Sequence, residues 1–491
     1  MPERTALRIL AICAAGSVLL YALLFVTTAN LLAWYTQPLL DLLKIMQEEP
    51  MAQWRLAFGF TLLSGLYLLG WQALRHIHSP ELTRIAWRII IGAAVLSGLI
   101  LLYMYPFDAA DIFDNILHGR IRGIYGGNPF HELIAQYSTD PFYAYAAWRY
   151  APSAYGPAWE LLTGLVARLS GNGIVTNIIG FKLLPGVFVA ISGSVIADFL
   201  NQAAPERALV AVWLMVMNPI VLYETLGNGH NDIAMAFWII AAAWMLYLGR
   251  YTRAVFFLVI GGLFKYIPLL LVPAAVWVAL LNLKTNRERV RFLALTGLLC
   301  AVVTVVVFAP FWDGLSTLSI TRRENMFTTS LPSILYQFSI PLLGQTAAAA
   351  WISRAALLLT AGFALWQAWI AGIEHSWLSF TRAALNILIF YLLVTCLWFQ
   401  QWYPVWLVGL AVLLPTELDQ GLGLWIGFAA LTKPLVFGPL VFLQHPPDPT
   451  RWLELRLSVG VMTLSWLGAW WVLWQKRRMH VQSVKQPVLQ E

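Results

Sequence analysis

Three carboxylates and an imidazole share one face of a predicted helix near residue 110, where the chain leaves a long apolar segment. At 100° per residue, Asp108, Asp111, Asp114 and His118 project within an arc of about 120°. The opposite side is apolar, which predicts an amphipathic helix lying on the outer membrane surface, apolar face down. Carboxylates held close together raise one another's pKa, which suits a general base. A solvated polar face without chemistry explains the same pattern.

A second polar cluster follows Pro219, where the proline and nearby glycines interrupt an apolar run. Glu224, His230, Asn231 and Asp232 gather there, in a predicted turn between two spans at the outer surface. Asp232 has the position of a helix cap. Capping does not explain why the other three polar residues accompany it, so a binding or catalytic role stays open.

Cations occur at two unusual places. Lys265, close to Pro268, interrupts an apolar stretch, and it must either reach the membrane surface or face a polar cavity. Arg322 and Arg323 lie in a predicted outer loop, against the usual preference of basic residues for the cytoplasmic side. All three could bind a phosphate or diphosphate. An ion pair of the arginines with Glu324 is the alternative.

Late in the chain, Phe399, Trp402, Tyr403 and Trp406 form an aromatic group. Such residues are common at membrane interfaces, where an aromatic belt is the ordinary explanation. Stacking on a sugar ring is the functional alternative.

These residues are set in a strongly apolar chain of 491 residues, 60% hydrophobic and 11% charged. Ordinary soluble domains carry about 25% charged residues. The composition excludes a soluble enzyme, a disordered chain and a nucleic-acid-binding module. It predicts an all-α polytopic membrane protein with one transmembrane domain over 1–491. Three cysteines lie in apolar runs and give no disulfide or zinc spacing.

Basic residues orient the predicted spans. The stretch 284–291 is the most basic loop and should be cytoplasmic, as should both chain ends. This arrangement gives about 14 spans. It places a large loop over 106–173, with interfacial helices, and a second loop over 312–348 on the extracytoplasmic side. No internal repeat is evident, which disfavours inverted-repeat transporter folds.

Four motifs in order resemble those of polyprenyl-phosphate-sugar-dependent glycosyltransferases of the GT-C architecture. The likeness is greatest to bacterial α-mannosyltransferases that use polyprenyl-phosphate mannose. The matching segments are Asp111 to Arg120 with Gly127-Asn128-Pro129-Phe130, Ser153 to Pro157, Asn218-Pro219 with His230-Asn231-Asp232, and Gln401 to Pro404 with Trp406. Asn115 departs from the pattern, which commonly has an aromatic residue there.

The resemblance implies a GT-C-like helical bundle in the plasma membrane, with an extracytoplasmic active site. Asp111 would be the general base of an inverting transfer to a glycan or glycolipid acceptor. A retaining route through Asp108 or Asp114 stays formally open. The supporting acid–base or hydroxyl-binding candidates are Asp108, Asp114, His118, His230, Asn231 and Asp232. The phosphate candidates are Lys265, Arg322 and Arg323, and the candidates for sugar or acceptor contact are Asn128, Tyr155, Trp402 and Tyr403.

Two other functions compete with this one. A transporter or flippase would place its polar groups near the membrane midplane, and a polymerase or ligase using a diphosphate carrier would also need outer arginines. We expect no cofactor and no metal. The expected partners are membrane lipids, the polyprenyl-phosphate donor and the acceptor, with no nucleic acid.

Overall fold

The computed structural model describes residues 1–314, 317, 326–433 and 449–485. Within these residues the chain is helical and has no β-strand, and two isolated bridges join Asn30 to Met104 and Thr328 to Trp398. The predicted all-α class is confirmed.

Twenty α-helices are labelled in chain order. They are α1 Glu3–Leu20, α2 Leu31–Trp34, α3 Leu42–Glu48, α4 Ala52–Leu74, α5 Pro80–Leu101, α6 Asp111–Gly123, α7 Pro157–Ser170, α8 Ile174–Ala203, α9 Pro205–Val216, α10 Pro219–Leu222, α11 Asp232–Tyr247, α12 Tyr251–Phe264, α13 Val272–Asn282, α14 Asn286–Phe308, α15 Leu331–Leu343, α16 Gln345–Glu374, α17 Trp377–Phe390, α18 Val405–Ala411, α19 Glu417–Thr432 and α20 Pro449–Lys485. The count refers to the described ranges.

In that part of the chain, seven helical segments are long and apolar enough to cross a membrane. They are Glu3–Val26, Ala52–Leu74, Pro80–Leu101, Ile174–Ala203, Asn286–Phe311, Gln345–Glu374 and Trp377–Thr395. A pair bent by 44°, Pro205–Val216 with Pro219–Gly227, makes an eighth if it counts as one span. Shorter apolar helices include α11, α12 and α15. The total of about 14 spans and the sidedness of the loops 106–173 and 312–348 stay predictions.

Helix breaks occur where the sequence predicts them. α9 ends at Val216, and the side-chain oxygen of Asn218 accepts hydrogen bonds from Ile220 N at 3.0 Å and Val221 N at 3.3 Å. This cap starts α10, whose first residue is Pro219. α12 ends at Phe264, and Lys265 is extended, with φ −157° and ψ 127°. At both breaks, polar backbone groups and polar side chains at the ends of apolar helices are available for contacts outside the helix.

A buried lysine that was not singled out from the sequence holds the end of α5. Lys182, on α8, donates to the carbonyl of Leu101 at 3.2 Å and to the carbonyl of Met104. An ammonium at a helix C-terminus binds carbonyls that no helical N–H reaches. This contact fixes the point from which the chain continues to Asp108.

Candidate active site

α6 forms as predicted, but its polar face is not solvated. Asp114, Asn115, His118 and Arg120 are all buried, whereas Asp111 at the first turn is partly exposed. The alternative explanation, a solvated polar face without chemistry, is therefore wrong, whereas the position of α6 on the membrane surface stays a prediction. Other segments of the 106–173 loop cover this face, which helical periodicity alone does not reveal.

Two glycines bring α6 against α7. A Cβ on Gly119 would lie 2.7 Å from the carbonyl oxygen of Thr163, and a Cβ on Gly123 would overlap Gly164. The helices thus approach closely because these positions have no side chain. The indole N–H of Trp159 on α7 donates to Asn115 Oδ1 at 2.8 Å. Asn115, the residue that departs from the motif, therefore orients α6.

Arg120 is a structural residue. Its Nε lies 2.7 Å from Asp140 Oδ2 in a fully buried ion pair. The same guanidinium donates to the carbonyl of Gly171 at 2.7 Å and to Asn172 Oδ1 at 2.9 Å. A buried ion pair whose guanidinium makes these further hydrogen bonds ties the end of α6 to two loops. Asp140 was not identified from the sequence.

The acidic side of α6 lines a small cleft. Its lining residues are Asp111, Asp114, His118, Trp148, Pro152, Ala154, Tyr155, Trp398, Gln400 and Trp402. The backbone N–H of Trp148 donates to Asp114 Oδ1 at 3.1 Å. The ring of Trp148 meets that of Trp398 edge to face, with centroids 6.0 Å apart. The cleft thus joins the predicted carboxylates to two of the predicted aromatic residues, Tyr155 and Trp402.

Asp232 and Lys265 form an ion pair beside this cleft. Lys265 Nζ lies 2.6 Å from Asp232 Oδ1, and Trp406 Nε1 donates to the same oxygen at 2.5 Å. The side chain of Asp232 does not cap α11, although the residue begins that helix. The capping explanation for Asp232 is therefore wrong.

A carboxylate and three aromatic rings surround the ammonium group of Lys265. Its side chain is 18% exposed, and its Nζ lies 4.7 Å from the ring centroid of Tyr403, 5.3 Å from that of Trp406 and 5.8 Å from that of Tyr155. Three rings around an ammonium favour the cation through their negative faces. The alternative, that Lys265 reaches the membrane surface, is wrong.

Gly156 brings Tyr155 to Lys265. The N–H of Gly156 donates to the carbonyl of Phe264 at 2.9 Å, and a Cβ at this position would overlap the carbonyl of Leu263. Only glycine allows this approach. The Ser153 to Pro157 motif thus serves to join the loop to the end of α12.

His230 connects the second polar cluster to the late aromatic group. Its ring stacks on Trp402, with centroids 3.7 Å apart and planes 15° apart. Its Nε2 lies 3.5 Å from Glu224 Oε2. Burial, with Lys265 nearby, holds the pKa of His230 well below its usual value. The imidazole is therefore neutral at pH 7 and presents a flat, uncharged surface.

Asp108 is partly buried and faces Gln401 and Tyr223. Burial raises the pKa of Asp108 to about 6, and the positive charge of Lys433 partly opposes this effect. Lys433 follows the last residue of α19, and its Nζ donates to Gln400 Oε1 at 2.8 Å. Lys433 was not identified from the sequence, since a lysine at the end of an apolar run is typical of a membrane boundary.

Glu160 is a further residue that was not identified from the sequence. It is fully buried, and Ser153 Oγ donates to its Oε1 at 2.5 Å. Burial raises the pKa of Glu160 to about 7. Glu160 on α7 thus fixes the Ser153 to Pro157 loop through this hydrogen bond.

Several predicted residues lie elsewhere. Asn128 donates to the carbonyl of Phe311 at 2.8 Å and accepts from Phe130 N at 3.1 Å, so it shapes its loop and does not line the cleft. Asn231 is buried and precedes α11 without a side-chain cap bond. Arg322 and Arg323 lie outside the described residues.

Among the residues that the structure describes, no group of three or more His, Cys, Asp or Glu side chains could hold a metal ion. The expectation that the reaction needs no metal stays a prediction.

A family model described as alpha-(1->6)-mannopyranosyltransferase, N-terminal domain, matches residues 10–281, more than half of the chain. The chain belongs to this family. The sequence resemblance to α-mannosyltransferases is thereby confirmed. The match includes α6, the Asn218 to Asp232 segment and Lys265, whereas Trp402, Trp406 and Lys433 lie beyond it.

Two curated relatives are similar over a shorter length. Alpha-(1->6)-mannopyranosyltransferase A of Mycobacterium tuberculosis is 26% identical over 167 residues, covering 33% of this chain and 32% of the relative. The protein of the same name from Corynebacterium glutamicum is 21% identical over 188 residues, covering 37% and 36%. The aligned part is thus about a third of each relative.

Proposed function

We propose that this protein transfers mannose from polyprenyl-phosphate mannose to a glycan or glycolipid acceptor at the extracytoplasmic face of the plasma membrane. One observation carries the proposal: Asp111 lines a cleft that Trp398, Gln400 and Trp402 also line. Carboxylates and flat aromatic rings are what a sugar-transfer site needs. Membership of a mannopyranosyltransferase family supports mannose as the sugar.

Asp111 is the general base in this mechanism. The acceptor hydroxyl oxygen attacks the anomeric carbon, its proton passes to Asp111, and the bond from that carbon to the phosphate oxygen breaks. The phosphate leaves with the electron pair. Asp114 is less suited to the role because its Oδ1 accepts the Trp148 N–H, and Asp108 is less suited because it does not line the cleft and faces Gln401 and Tyr223 instead.

A single displacement inverts the sugar carbon, so a β-linked donor gives an α-linked product. The leaving phosphate needs positive charge nearby. Lys265, whose Nζ is 5.8 Å from the ring centroid of Tyr155, and Lys433, which donates to Gln400, supply it next to two residues that line the cleft. The rings of Tyr155, Trp402 and Tyr403 contact the sugar or the acceptor. No cofactor enters the reaction.

The test is transfer from radiolabelled polyprenyl-phosphate mannose in membranes that contain the wild type or Asp111→Asn. We expect the variant to lose transfer by at least a factor of about 100, as removal of a general base does. Asp198→Asn is the matched control, because Asp198 is exposed on α8 away from the cleft. Expression and thermal unfolding of the purified proteins show that both variants fold.

The outcomes separate the competing functions. Transfer that survives in Asp111→Asn but is lost in Asp114→Asn or Asp108→Asn retains the activity and moves the base. Wild type that transfers nothing from several monophosphate-linked sugars argues against the proposal and favours a diphosphate-dependent polymerase, a ligase or a transporter. A product with retained stereochemistry overturns the single displacement.

A further inference from the structure

A second cleft, lined by arginines, lies at the other end of α12. Arg250 and Arg253 flank the first turn of this helix, and Arg291 reaches the same cleft from α14. α12 has 14 residues and ends at Phe264, next to Lys265. At 1.5 Å per residue it separates the arginine cleft from the candidate active site by about 21 Å, most of a membrane's hydrocarbon thickness.

Two hydrogen-bonded contacts fix the walls of this arginine cleft. Thr296 on α14 donates to Thr252 on α12, with the oxygens 3.1 Å apart. Arg289 donates from Nε to the carbonyls of Leu280 and Leu283, each at 3.1 Å. Arg289 therefore fastens α14 to the end of α13 and is unavailable to a ligand.

The charge of the arginine cleft is not neutralised by neighbouring side chains. Over the described ranges, Arg250, Arg253 and Arg291 are exposed and have no ion pair or side-chain hydrogen bond. Glu288 also lines the cleft. Its Oε2, however, accepts from the N–H groups of Lys284 and Thr285, both at 3.0 Å, in the capping box that starts α14. Three guanidinium groups thus face a space with one carboxylate, which is already engaged.

The floor of the cleft is apolar and continues along α14. Phe292 and Leu295 line the cleft, and Leu298 and Val302 extend the same helix with 62% and 50% exposure. Only 11% of the most apolar 18-residue window of this span is buried. An exposed apolar helix in a membrane protein contacts acyl chains. The site therefore offers guanidinium groups at one end and a hydrocarbon-facing surface directly beyond.

We propose that the arginine cleft binds the phosphate headgroup of an anionic phospholipid whose acyl chains lie along α14. Guanidinium groups bind phosphate with paired hydrogen bonds, and basic pockets between helices at the cytoplasmic membrane surface suit anionic lipids. The predicted cytoplasmic position of the 284–291 loop agrees with this location. The site is independent of sugar transfer, so its test does not need an active enzyme.

The experiment measures lipid binding to the delipidated full-length protein in uncharged detergent by native mass spectrometry. Phosphatidylglycerol is titrated against phosphatidylcholine. Three substitutions at once, Arg250→Gln, Arg253→Gln and Arg291→Gln, should weaken phosphatidylglycerol binding on the order of 100-fold, given about fivefold per arginine near a membrane surface. Phosphatidylcholine binding should not change.

The matched control removes the same charge elsewhere on the predicted cytoplasmic side, through Arg8→Gln, Arg84→Gln and Arg88→Gln. These arginines are also exposed, and their loss should leave phosphatidylglycerol binding within about threefold of wild type. Equal losses in both triple variants would show a general charge effect and overturn the site, as would undiminished binding in the cleft variant. Displacement of the lipid by excess inorganic phosphate would show a free-anion site and overturn the lipid proposal.

Discussion

Lys265 Nζ lies 2.6 Å from Asp232 Oδ1, and this ion pair joins the broken end of α12 to the first turn of α11. The two residues are 33 positions apart, and each sits at a helix end created by a break in an apolar run. Trp406 donates to the same carboxylate oxygen. The pair, together with Trp406, therefore connects α11, the end of α12 and α18 at the candidate site.

Replacing either partner of this pair should affect both activity and stability. Lys265→Met removes a cation from the proposed phosphate site, and we expect kcat/KM for the donor to fall by about 10²–10³. Asp232→Asn leaves Lys265 without its counterion and should lower the unfolding temperature. The Lys265→Met/Asp232→Asn double variant should be inactive yet more stable than Asp232→Asn, because it has no unpaired buried charge. Unfolding temperatures that simply add would contradict this coupling.

Gly156→Ala tests the approach of the loop to α12. The added methyl overlaps the carbonyl of Leu263, so the backbone around Tyr155 must shift. We expect a loss of about 1–3 kcal/mol in the free energy of unfolding and a clear fall in turnover. Gly65→Ala is the control, because a methyl group added there would meet no neighbouring atom within 4 Å, and it should leave both measurements unchanged. Normal turnover in Gly156→Ala would refute the positioning role.

Glu160 should make stability depend on pH. Its pKa is 4.5 in the unfolded chain and about 7 in the fold, so the protonated form favours folding. Below about pH 4.5 this preference stabilises the fold by about 3 kcal/mol relative to high pH, and the stabilisation is lost as the pH rises through 7. Glu160→Gln cannot ionise. Relative to this variant, the wild type should lose stability between about pH 4.5 and pH 8 in thermal unfolding, and parallel curves would show that the buried carboxyl does not titrate there.

Lys433→Met should weaken donor binding. The lysine is held by Gln400, which lines the cleft, and its charge reaches Asp108. A charge-assisted hydrogen bond contributes about 1.5–3 kcal/mol, so we expect KM for the donor to rise at least about tenfold. Lys433→Arg should restore most of the affinity. Lys44→Met, which replaces an exposed lysine near the start of the chain, should behave as wild type. An unchanged KM in Lys433→Met would remove this residue from the phosphate site.

The sequence predicts the elements of the site better than it predicts their surroundings. Charged residues inside apolar runs stand out, so Lys265 and Asp232 could be identified, and Pro219 marks a true helix break. Helical periodicity also places Asp111, Asp114 and His118 on one face. It does not reveal what covers that face, because the covering segments are irregular loops with no periodic pattern.

The sequence does not reveal which residues that are distant along the chain contact one another in the fold. Asp140, which pairs with Arg120, lies in a loop where spacing carries no information about contacts. Glu160 resembles an ordinary surface residue of an amphipathic helix, although the packing around α7 buries it. Lys182 is a lone lysine inside a long apolar helix, and the rarity of such residues in membranes could have identified it.

The family match ends at residue 281, but the cleft includes Trp398, Gln400 and Trp402. Under the proposed mechanism both portions contribute to the site, so separately expressed halves should transfer sugar only after they reassemble. In that proposal the later portion supplies Trp398, Gln400 and Trp402 to the part of the cleft that contacts the substrate. If the proposal holds, substitutions in that later portion would change acceptor choice without changing the proposed base, Asp111.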